Sequence, residues 1–154
     1  MYPDDVFRNE LATVTRTLSD WAYRLKDVAH FDIKEGTGHW RISARPATPG
    51  ACPMTLVLRN DQKFDLGLAR ERFEEREIDD FALFGAIADA VSAGRIELVR
   101  TESAMTGGLK AIETRINFKD GAIWSETRKT GPLKDISTDG EDVQSVEPFL
   151  PYAR

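Results

Sequence analysis

Near the start of the chain the large apolar residues Phe7, Leu11, Val14, Leu18, Trp21, Leu25 and Val28 follow a 4-3-4-3-4-3 spacing. That period places them on one stripe of an α-helix and predicts helix from about Asp4 to Ala29. Asp4 and Asp5 suit the positive end of the helix dipole, and Pro3 is tolerated where no backbone donor is needed. The stripe has two uses: covering the protein's own sheet, or forming a coiled-coil seam with a partner helix or a second copy. The flanking residues Arg8, Glu10, Thr15, Thr17, Ala22 and Arg24 carry few complementary charges, which favours the sheet.

Beyond Ala29 the period changes to two. His30 to Arg45 alternates as a hairpin, and a two-residue Gly36-Thr37 turn pairs Glu35 with Gly38. In that register Lys34 faces His39, Ile33 faces Trp40, Asp32 faces Arg41 and Phe31 faces Ile42, so apolar meets apolar and Asp32 meets a cation. Pro46, Pro49, Gly50 and Pro53 make the next stretch a loop. Alternation resumes in Met54 to Arg59 and in a strand bearing Phe64, Leu66 and Leu68, then slips after Ala69, implying a bulge or break near Arg70. Arg70 to Asp80 is almost wholly charged and reads as a solvated edge strand or exposed connection rather than a partner-binding patch.

A second helix comes next. Asp79 serves as its N-cap, Ile78 and Leu83 as a hydrophobic staple, and Gly94 as its left-handed C-cap. Phe81, Phe84, Ile87, Ala88 and Val91 form its buried stripe. Strands are predicted at Arg95–Ser103, Leu109–Phe118 and Ala122–Arg128. From Lys129 the composition turns polar and acidic, and Val146 to Tyr152 reads as an extended arm that folds back or reaches a neighbour. The order predicts an α+β fold in a single domain, residues 1–130. Its mostly antiparallel sheet has about seven strands, and both helices lie on one face. Residues 131–154 form an acidic, aromatic tail.

Composition narrows the partners. The chain has 154 residues, 41% apolar and 31% charged, enough for one core and too apolar for disorder throughout. A net charge of -5 disfavours nonspecific nucleic-acid binding, which needs a basic face. No run approaches the roughly 18 apolar residues of a membrane span, and the start of the chain lacks a signal-peptide pattern. The single cysteine, Cys52, excludes an intrachain disulfide and fits a reducing compartment, so the expectation is a cytoplasmic protein with no membrane and no nucleic-acid partner.

Candidate chemistry is sparse. His30 and His39, near Asp32 and Glu35, are the best metal or acid–base group, but the hairpin register separates them by about 13 Å and adds Lys34 and Arg41 to the same face. Cys52 has no adjacent base. Gly107-Gly108-Leu109-Lys110 lacks phosphate-loop spacing. No catalytic residue, metal or cofactor is therefore predicted. The reading that remains is a non-enzymatic protein-binding or assembly module, a homodimer, with Leu11, Leu18, Leu25, Phe149 and Tyr152 as its interface. The alternative is a domain that binds, and even transforms, a small apolar ligand in a pocket between sheet and helices, lined by Trp21, Trp40 and Trp124.

Overall fold

The computed structural model describes residues 1–130 and 142–153. They form an α+β fold of two helices and nine antiparallel strands in two sheets. Helix α1 spans Asp4–Arg24, and α2 spans Ala82–Ser92. Strands β1 (Ala29–Gly36), β2 (His39–Pro46), β3 (Met54–Arg59), β4 (Lys63–Leu68) and β5 (Glu71–Glu77) make the first sheet, in sequence order. Strands β6 (Ile96–Ser103), β7 (Leu109–Asn117), β8 (Ile123–Lys129) and β9 (Asp142–Pro148) make the second, in the order β8-β7-β6-β9. The expectation of one sheet with about seven strands thus becomes two sheets with nine. The additional strands are β5, from the charged run, and β9, from the acidic tail.

The core lies between the helices and the inner face of the first sheet. Met54, Leu56 and Leu58 on β3 and Phe64, Leu66 and Leu68 on β4 are all buried there, as strict alternation requires when one face is covered. Phe7, Val14, Leu18 and Trp21 of α1 are buried over them, with Phe84, Ile87 and Val91 of α2. Ile96 and Ile116 bring the second sheet into the same core. No helix among the described residues is long and apolar enough to cross a membrane.

Several local expectations need correction. Helix α1 ends at Arg24 rather than Ala29: the Leu25 N–H already turns back to Ala22 O (3.1 Å), and the Val28 carbonyl accepts from the Ala47 N–H (2.9 Å) as the chain turns into β1. Leu25 and Val28 still pack partly against the core from that turn, which is why the stripe runs on in the sequence. The first hairpin turns at Thr37-Gly38, since the positive φ of 83° falls on Gly38. Gly36 therefore pairs with His39, Ile33 with Ile42 and Asp32 with Ser43. This moves the register by two residues, leaves each side chain on its expected face, and sets His30 six residues along the strand from Gly36, the partner of His39, about 20 Å away. At α2 the first turn is bonded by Asp80, whose Oδ1 accepts from the Ala82 N–H (3.0 Å), not by Asp79.

At the far end of α2, Gly94 (φ 77°) closes a Schellman motif. The Arg95 N–H donates to Ala90 O (2.8 Å) and the Gly94 N–H to Val91 O (3.2 Å). A side chain here would also collide with the last residues of the chain, since a Cβ on Gly94 would stand 2.7 Å from the Pro151 nitrogen. The sequence predicts those last residues, Val146 to Tyr152, as an extended arm. Instead Asp142–Pro148 pairs along the whole of β6, and the segment beyond it threads past the 46–53 loop, where Leu150 makes a parallel bridge to Ala51.

The two sheets meet at their edges through side chains. Phe73 of β5 lies edge-on to Trp124 of β8, with ring centroids 5.2 Å apart. Arg76 makes a two-pronged contact with Glu126, and Arg128 donates from Nε and Nη2 to both oxygens of Glu71, each at 3.0 Å. The charged run is thus an edge strand, as its composition suggested, but Glu71 and Phe73 within it are buried against the second sheet.

Candidate functional site

The three tryptophans occupy separate places. Trp21 is buried edge-on to Phe31, and its Nε1 donates to Ser92 Oγ (3.2 Å). Trp40 is buried on the inner face of β2, and Trp124 is half-buried against Phe73. None of them lines either of the two clefts described below. Of the interface candidates, Leu18 and Tyr152 are taken up inside the chain itself, at 0% and 1% exposure. Leu11, Leu25 and Phe149 are partly buried against the same core. The Tyr152 hydroxyl donates to Cys52 O (2.6 Å), and its carbonyl accepts from Thr48 Oγ1 (3.0 Å).

Concave surface lies elsewhere, on the outer face of the first sheet. There the register brings one residue from each strand into a single row: Asp32, Ser43, Thr55, Gly67 and Arg72. Small residues in its middle and long ones around them make a trough of about 460 Å³ across the strands. His30 and Arg45 stand on one side of the row and Val57 and Asp65 on the other, with Glu74 at the β5 rim. Asp32 is engaged by Arg41 (3.3 Å) and Lys34 (3.8 Å), and Asp65 by Arg59 (3.7 Å). Arg45 and Arg72 pair with no carboxylate among the described residues.

A second cleft, of about 580 Å³, opens between the β4–β5 turn and the second sheet, with Leu98, Ile112 and Phe149 on its floor and the Arg128–Glu71 pair at its rim. The third feature is an edge. All seven residues of β9 are exposed, and the side of the strand away from β6 has no neighbouring strand among the described residues.

Nothing in these places activates a nucleophile. Burial pushes the Cys52 thiol up to about 12, against a weaker opposite effect from a hydrogen bond with the Ala69 backbone, so the sulfur stays protonated at neutral pH. Among the described residues no group of three His, Cys, Asp or Glu side chains assembles in a way that would hold a metal. What the trough offers is recognition: hydroxyls on its floor, two guanidinium groups without a carboxylate partner among the described residues, and carboxylates mostly held by neighbours. Sequence reasoning put His30, Asp32 and Ser43 on one polar face of the hairpin but missed their grouping with Thr55 and Gly67, which only the register across the strands brings about. Comparison of the chain with protein families, with curated proteins and with solved structures gives no match.

Proposed function

We propose that this protein is a non-enzymatic protein-binding and assembly module that pairs with a second copy along β9. The observation that carries the reading is the composition of that edge, where Val143 and Val146 are 55% and 54% exposed on a strand with no lysine and no neighbour on its outer side among the described residues. Such an edge is a template for strand addition. Antiparallel self-pairing centred on Ser145 sets Val143 opposite Glu147 of the second copy, Gln144 opposite Val146, and Asp142 opposite Pro148, so no like charges face each other. The two four-stranded sheets would then run on as one.

The ligand reading is less well supported between sheet and helices, where Leu18, Ile42, Leu56 and Phe84 fill the space and are wholly buried. A reducing, cytoplasmic setting belongs to the module reading, since its one thiol is free and buried. The test is size-exclusion chromatography with light scattering. The wild-type chain is expected to be a dimer at about 100 μM, weak for an interface of a few strand bonds and two valines. Ser145→Glu is expected to give a folded monomer: it sets two carboxylates against each other on the two-fold axis, whereas within one chain position 145 is exposed and faces Arg100. A wild-type monomer at that concentration ends the assembly reading.

A further inference from the structure

Gly67 lies within β4, between Leu66 and Leu68, at an ordinary extended φ. A glycine inside a strand gives up side-chain contacts and loses more backbone freedom on folding than any other residue. At Gly94 the chain needs one, for positive φ and for room. At Gly67 it needs neither: a Cβ there would meet nothing nearer than Thr55 Cβ at 3.7 Å, an ordinary contact. Folding does not explain this glycine. What the missing side chain does provide is the floor of the trough.

We propose that the trough binds an extended acidic segment of a partner protein, laid across β2 to β5, with two carboxylates held by Arg45 and Arg72. These two arginines line the trough and have no carboxylate partner among the described residues, whereas Arg41 and Arg59 on the same face are each engaged. Arg45 and Arg72 stand three strand spacings apart across the sheet and two residues apart along it, about 16 Å between Cα atoms. Four residues of extended chain cover about 13–14 Å and return the side chain to the same side, a span that two inward-leaning arginines reach. The segment therefore carries Asp or Glu at positions i and i+4.

Each guanidinium fork matches a planar carboxylate with two parallel hydrogen bonds. Between them the Ser43 and Thr55 hydroxyls, 3.5 Å apart, can serve both the donors and the acceptors of the bound backbone. Gly67 lets that backbone lie close to the sheet. Glu74, at the rim beside Arg72, favours a Lys or Arg just beyond the second acid. The trough is on the first sheet and β9 on the second, so this inference and the self-pairing of β9 stand or fall separately.

The test uses the full chain and a fluorescently labelled, Gly/Ser-rich peptide with two glutamates at i and i+4, read by anisotropy at low salt. Binding is expected to weaken about tenfold or more when both glutamates become Gln, when they are moved to i and i+1, or when the protein carries Arg45→Gln or Arg72→Gln. Gly67→Val is expected to melt at or above the wild-type temperature and yet to lose the peptide. Three results overturn the proposal: no binding by the wild type at millimolar peptide, binding that Gly67→Val leaves unchanged, or a Gly67→Val protein that melts well below the wild type, since the glycine would then serve folding.

Discussion

Cys52 and Tyr152 stand a hundred residues apart and share one buried contact, the Tyr152 hydroxyl on the Cys52 carbonyl. Burial raises both acids, the thiol from 9.0 to about 12 and the phenol also upward, with the neighbouring Cys52 adding to the second shift. Each is a weaker acid in the folded chain than in the unfolded one. As pH rises the unfolded chain loses these protons first, so it binds fewer protons than the native state and is favoured. The Cys52 contribution to stability is complete below about pH 9 and is lost as pH climbs to about 12, with a slope near 1.4 kcal/mol per pH unit once the unfolded thiol ionises. Urea unfolding of the wild type and of Cys52→Ala across this window checks it. The variant should lose stability less steeply between pH 9 and 10, and parallel curves would mean the thiol is not shielded.

At the level of elements, the periodic parts of the chain were legible and the parts set by distant partners were not. The α1 stripe could be read because Phe7, Val14, Leu18 and Trp21 answer to one continuous core. The first hairpin could be read only to its faces. Gly36 and Gly38 bracket Thr37, and either turn keeps Phe31 and Ile33 on the side of Trp40 and Ile42, so patterning alone does not choose between them. The trough depends on that choice, since Asp32 joins Ser43, Thr55, Gly67 and Arg72 only when Gly36 faces His39. In β5 the charges announce an edge strand, yet the partner of Glu71 is Arg128, 57 residues on, and no local pattern points to it. The pairing predicts an asymmetry. Glu71 is 5% exposed, so Arg128→Ala leaves a buried carboxylate without its cation and should cost about 2 kcal/mol, below the full penalty because water already reaches the half-exposed arginine. Arg76→Ala frees Glu126, which water can reach, and should cost no more than about 1 kcal/mol. Equal shifts in the urea midpoints of the two variants would refute the distinction.

For the molecule as a whole, the question is whether residues 1–130 make a domain without the C-terminal segment. Composition draws a boundary there, because alternation stops and acidic residues collect. The contacts run the other way. Strand β9 pairs with β6 from Asp142 to Pro148, the Phe149 N–H donates to Ile96 O (3.1 Å), and the Tyr152 N–H donates to Ser92 O (2.9 Å) at the end of α2. Tyr152 then fills core space beside Trp21, at a ring distance of 6.4 Å. Losing a buried aromatic of this kind costs about 3–5 kcal/mol, a large share of the roughly 5–15 kcal/mol that holds a domain together. A chain ending at Thr130 would also leave β6 as a bare edge carrying Leu98 and Val99, a surface for aggregation. We therefore expect truncation after Thr130 to abolish cooperative urea unfolding as read by tryptophan fluorescence, whereas Ser145→Glu, at an exposed position of β9 that faces Arg100, should unfold with a midpoint close to the wild type. A truncated chain with the wild-type midpoint would show that the last segment rests on the body without stabilising it. The self-pairing of β9 would then have to be judged as the behaviour of a detachable arm.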